Sequence, residues 1–151
     1  MHEYRTHTCG ELRKEHDGTQ ARLSGWVFRK RDHGSLLFID LRDHYGITQI
    51  VIQPDRDFFE LCQKLRVESV ITVTGKVILR DADMINPDIP TGEIELVAED
   101  VRIESEADVL PLYLAGEEDG PEDLRLRYRY LDLRRPRLHD NMVLRSKIIA
   151  D

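Results

Sequence analysis

An aromatic ring, a carboxamide and a carboxylate occupy the odd-man-out positions of three apolar-alternating segments. Phe38 interrupts Leu37, Ile39 and Leu41; Gln49 interrupts Thr48, Ile50 and Ile52; Glu95 sits between Ile94 and Leu96. If the apolar sets face a core, the three polar or aromatic side chains point outward. An exposed ring on a sheet is a stacking platform for an unpaired nucleobase, worth ~1–3 kcal/mol per base. The amide can donate and accept, whereas the carboxylate only accepts and so suits the N1–H and N2–H donors of a splayed guanine. Arg29, Lys30 and Arg31 stand just upstream as cations for a phosphate backbone. Plain alternatives exist for each: Phe38 packed under a neighbouring loop, Gln49 and Glu95 on a solvated strand face, and the basic run as a solvated turn.

Catalytic signatures are absent from the sequence. It contains no P-loop, HExxH, GxSxG or Cys/His cluster with ligand spacing, and its six histidines are scattered. No catalytic residue and no metal site are therefore expected. Cys9 and Cys62 lie far apart without a CxxC pattern and are read as reduced thiols.

The elements that must position the trio follow from pattern. Thr8 and Glu11 have capping-box spacing, which predicts a short helix reaching His16 before Asp17-Gly18. Alternation from Ala21 to Phe28 predicts a first strand in which Gly25 marks a bend or close approach, and Arg29 to Gly34 reads as a charged turn. Leu36 to Arg42 and Ile47 to Gln53 are the second and third strands, joined through Asp43–Gly46. Apolar residues at helical spacing from Pro54-Asp55 to Arg66 predict a helix. Val70 to Arg80, bent midway at Gly75, and Glu93 to Glu104 are the last strands, separated by a loop with Asn86-Pro87 and Pro90-Thr91-Gly92. An all-β chain of five strands with one helix between the third and fourth has the element order of an OB-fold barrel, followed here by an α-helical hinge and tail.

The 151 residues carry a formal charge of −7, with 34% charged and 40% hydrophobic side chains, which fits a folded globular chain. Net acidity argues against nucleic acid only on average, because charge is partitioned. Between positions 22 and 35, Arg22, Arg29, Lys30 and Arg31 oppose Asp32 alone. Glu104, Glu106, Asp108, Glu117, Glu118, Asp119, Glu122 and Asp123 then follow without an intervening base, and the chain turns basic from Leu124. These shifts predict a barrel over 1–105, an acidic linker or hinge over 106–123, and the start of a second domain over 124–151, too short to bury a core of its own. No long apolar run or secretory leader is present, so a cytoplasmic protein without membrane association is expected.

The segments GWVFRKRDHGSLLFIDLRDHYGITQIVI, VTGKV, TGEIE and ADVLPL, and above all RLRYRYLDLRR, resemble the N-terminal part of bacterial aspartyl-tRNA synthetase over nearly the whole chain. The resemblance implies an anticodon-binding domain, a hinge and the beginning of a class II catalytic domain. The parent would be a homodimer that uses ATP and Mg2+ to attach aspartate to tRNA, while this stretch, with no cofactor of its own, would be inactive alone. It implies that Phe38 stacks on the middle anticodon base, a uridine, that Gln49 bonds that base, and that Glu95 reads the first base, guanosine or queuosine. Arg31, Arg80 and Asn86 match positions near the bases and backbone, with Arg29 alongside.

Two positions bear on specificity. His33 stands where strictly aspartate-specific enzymes carry leucine and resembles the subgroup that charges both tRNA-Asp and tRNA-Asn, whose anticodons differ in the third base. Asp83 departs from the small residue of that subgroup. The sequence leaves two other readings open, a stand-alone OB-fold single-strand binder and a structural module that docks another protein.

Overall fold

The computed structural model describes residues 3–115 and 120–150; Gly116, Glu117, Glu118 and Asp119 of the acidic stretch lie outside them. The chain divides into two compact units, Met1–Asp108 and Val109–Asp151. In the first, β1 (Gln20–Asp32), β2 (Leu37–Arg42), β3 (Ile47–Ile52), β4 (Val70–Leu79) and β5 (Ile94–Ser105) close a barrel in the order β1-β2-β3-β5-β4. All pairings are antiparallel except β3 with β5, which run parallel at Ile50↔Leu96 and Val51↔Val97. The helix α1 (Phe59–Lys64) lies between β3 and β4 in the chain, as the pattern predicts.

Period-two patterning builds the core. Leu23, Val27, Leu37, Ile39, Leu41, Ile50, Ile52, Ile71, Val73, Ile94 and Leu96 are all fully buried in one cluster. Closure requires two backbones to approach where a side chain would not fit. A Cβ at Gly25 would overlap the Arg42 carbonyl, and one at Gly75 would overlap the Val97 carbonyl beside a register shift in the β4–β5 ladder.

Three elements differ from the sequence pattern. The Thr8–Glu11 bonds form, with the Glu11 carboxylate accepting from the Thr8 amide at 3.0 Å, yet they close a turn and only a single 3-10 turn follows at Lys14–His16. Burial of Cys9 and Leu12 in the barrel core sets that path. The helix expected from Pro54 shortens to α1, with Phe59 and Cys62 as its buried residues. Most of the expected turn 29–34 is strand: β1 carries a bulge between Val27 and Arg29, so that Arg29 pairs with Asp40 and Arg31 with Phe38.

The thiols of Cys9 and Cys62 are free and buried, and burial pushes Cys62 up to about 11. In the second unit α2 (Glu122–Arg127), α3 (Arg129–Asp132) and α4 (Pro136–Ala150) follow one another. Leu112, Leu114 and Leu131 form a small buried cluster with Leu110, Leu124 and Tyr128 against it. Asp132 is fully buried and accepts from Arg125 and, at 2.8 Å, from Arg129. No helix among the described residues is long and apolar enough to cross a membrane.

Candidate nucleic-acid interface

Alternation places the predicted trio on one outer face. β2 and β3 pair so that Asp40 stands opposite Gln49 and Phe38 opposite Val51, and Val51 in turn pairs with Val97 of β5. Phe38, Gln49 and Glu95 line a single cleft of about 240 Å3 together with Arg31, His33, Arg80, Met84 and Asn86. Phe38 faces outward as the pattern predicts but is half-buried, between the exposed ring and the loop-packed ring that the sequence left open: the His33 imidazole forms a T-shaped contact with it, with ring centroids 5.4 Å apart at 88°. The ring lies outside the barrel core all the same.

A continuous polar chain crosses the cleft. Arg31 Nη2 donates to Asp40 Oδ1 at 2.8 Å and to Gln49 Oε1 at 3.1 Å, and Gln49 Nε2 donates to Glu95 Oε2 at 3.1 Å. Arg80 Nε lies 3.9 Å from the same Glu95 oxygen and donates to the Ile94 carbonyl at 2.9 Å. The Arg80 side chain is only 4% exposed, and its Nη2 is buried without a hydrogen-bond partner in the protein. This leaves a buried guanidinium donor without an acceptor in the wall of the cleft.

Burial raises both carboxyl pKa values above the ordinary range. At Asp40 the neighbouring Arg31, Arg29 and Arg80 partly offset it; at Glu95 Arg80 and the Gln49 hydrogen bond do so. Desolvation likewise lowers Arg80. The loop after β4 is pinned by backbone: the Asn86 amide donates to the Gly92 carbonyl at 3.1 Å, and the Asn86 side-chain oxygen accepts from the Asp88 amide at 3.0 Å. This turn holds Asn86 at the cleft.

Two candidates lie elsewhere. Arg29 does not line the cleft; its guanidinium sits over the Phe28 ring, 5.2 Å from the centroid. Asp83 is exposed on a single 3-10 turn, Ala82–Met84, and does not line the cleft either, although its neighbour Met84 does. Lys30, grouped with the arginines by sequence, has a different task. Its ammonium donates to the Gln63 and Leu65 carbonyls, the latter at 2.6 Å, and so caps the C-terminal end of α1. Met84 and Asp40 went unassigned from sequence. Asp40 had a readable signal, since it shares the outward parity of Phe38; Met84 sits in a loop without period.

Comparison with known proteins gives a consistent set of likenesses. Residues 21–104 match the tRNA anticodon model described as an OB-fold nucleic acid binding domain. The chain is 65% identical over 150 residues to an Aspartate–tRNA(Asp/Asn) ligase of Acidiphilium cryptum, covering 99% of this chain and 25% of that protein. It is 63% identical to the protein of the same name from Paramagnetospirillum magneticum, covering 99% of this chain and 17% of the relative. The chain thus spans about a quarter or less of the curated relatives it matches. Among solved structures, asparaginyl-tRNA synthetase from Pyrococcus horikoshii aligns with TM-score 0.82 at 28% identity, over 95% of this chain and 33% of that one.

Proposed function

Because the chain belongs to the tRNA anticodon family of OB-fold nucleic acid binding domains, we propose that it reads the anticodon loop as the recognition module of an aspartate–tRNA ligase that serves tRNA-Asp and tRNA-Asn. One observation carries the reading: Phe38, Gln49, Glu95, Arg31, Arg80 and Asn86 converge on one cleft of the barrel. Phe38 stacks on the middle base, a uridine, and Gln49 bonds its edge. Glu95 accepts from the N1–H and N2–H of the first base, guanosine, with the Arg80 guanidinium behind it at 3.9 Å supporting its negative charge. Arg31 and Asn86 attend the bases and backbone, with Arg29 supplying positive charge outside the cleft.

His33, seated against Phe38, faces the third base. An imidazole can donate or accept and so tolerates either C or U there, whereas an apolar side chain cannot offer both. Exposed Asp83 acts on this choice only through the position of Met84.

The whole ligase would join aspartate to tRNA in the cytoplasm as a homodimer, using ATP and Mg2+. Among the described residues no group of three or more His, Cys, Asp and Glu side chains is placed to hold a metal ion. A stand-alone single-strand binder is not favoured, since the named curated relatives are ligases.

Gel-shift competition with anticodon stem-loops tests the reading. Loops carrying GUC and GUU should bind comparably and displace each other, while loops altered at the first or middle base should compete poorly. Sequence-blind binding would replace this reading with the stand-alone binder. A preference between GUC and GUU of 100-fold or more, about 2.7 kcal/mol, would reject service of both tRNAs.

A further inference from the structure

Asp40 touches no expected base, yet it anchors the one group whose orientation decides what the amide can read. A carboxamide has nearly isosteric ends, and half a turn about its last torsion exchanges a donor for an acceptor. Uracil offers an N3–H donor beside the O4 acceptor; cytosine offers an N3 acceptor beside the N4 donor. For a pyrimidine held at a fixed place by stacking, turning the amide over therefore exchanges the preferred base.

Both ends of the Gln49 amide are held by groups of a single polarity. Arg31 can only donate and lies 3.1 Å from Oε1; Glu95, as a carboxylate, can only accept and lies 3.1 Å from Nε2. The reversed amide would set NH2 against a guanidinium and a carbonyl against a carboxylate. Arg31, however, has a long side chain that is 50% exposed, whereas Asp40 is 14% exposed and grips it at 2.8 Å through a charge-assisted bond. Asp40 is itself fixed in the ladder between Arg29 of β1 and Gln49 of β3.

From this geometry we infer that Asp40 is a positioning residue that, through Arg31, fixes the Gln49 amide and thereby selects uracil over cytosine at the base stacked on Phe38. The inference rests on the anticodon reading above. The carboxylate acts at one remove, so its loss blurs the middle-base choice more than the first-base choice made at Glu95, which keeps Arg80 beside it.

The test measures affinities of the full chain for two stem-loops that differ only in U or C at the middle base, alongside a pair that differs at the first base. The native protein prefers U. Asp40→Ala narrows the U-to-C ratio by about tenfold or more, on the scale of one base contact, and changes the first-base ratio less. Arg31→Met narrows it equally, and adding Asp40→Ala to Arg31→Met changes the ratio no further. If Asp40→Ala does not fold, Asp40→Asn takes its place and the ratio narrows in the same direction. Equal weakening toward U and C, an unchanged ratio, or additive effects in the double variant would overturn the role of Asp40. Absence of any U preference in the native chain would instead overturn the anticodon reading itself.

Discussion

Gln49 of β3 and Glu95 of β5 are joined by a 3.1 Å hydrogen bond next to the only parallel pairing among the strands of the described residues. That seam brings an amide and a carboxylate from distant parts of the sequence into one cleft, where each restrains the other. Glu95→Gln replaces a pure acceptor by a group that also donates. Discrimination for guanine at the first base should then relax while the chain stays folded, and affinities for stem-loops with all four first bases would reveal the change.

Phe38→Ala removes a half-buried ring that lies outside the core cluster. Affinity for the cognate stem-loop should fall by ~1–3 kcal/mol, and far-UV circular dichroism should stay that of the native barrel. Titration calorimetry on the folded variant checks this outcome.

Burial raises the carboxyl groups of Asp40 and Glu95 above their ordinary values of 3.8 and 4.5. For an acid with a raised folded pKa, the native state holds its proton longer than the unfolded state does. Stability contributed by these two groups is therefore present in acid and declines as pH rises from the ordinary carboxyl value through the folded one. Asp40→Asn and Glu95→Gln should each flatten that decline, as denaturant titrations across the acid range would record. A steeper decline in the variants would contradict the sign.

Gly75→Ala directs a methyl group into the Val97 carbonyl at the register shift between β4 and β5. Overpacking against backbone of this kind costs about 1–3 kcal/mol, so the melting temperature should drop by several degrees, with anticodon selectivity of the folded fraction intact.

Much of this architecture was legible in the pattern of the chain because a barrel wall writes itself as alternation. Leu37, Ile39 and Leu41 are fully buried, and Phe38 and Asp40 lie on the other face, as period two requires. The same rule set Gln49 and Glu95 outward. What alternation did not carry was anything decided by backbone irregularity or by distant partners. Lys30 looks like one more surface cation until the carbonyls at the end of α1 are seen to meet it. The Thr8–Glu11 bonds are local and legible, but whether a helix follows depends on Cys9 and Leu12 finding the core. Met84 reaches the cleft only because Arg80 and Asn86 tie the loop to its neighbours.

The extra residue at Phe28 makes β1 a strand of two phases. Before it, Val27 belongs to the wall and faces the core; after it, Arg29 pairs with Asp40 and Arg31 with Phe38 on the outside, while Lys30 turns to the helix. Were Phe28 paired with Asp40 instead of left out of the ladder, every later residue would slip by one, setting Arg29 opposite Ile39 and Arg31 opposite Leu37, driving two guanidiniums toward hydrocarbon and turning the ammonium out to solvent. A single unpaired residue is consequently what lets one strand serve the barrel wall with its first half and present its cations outward with its second.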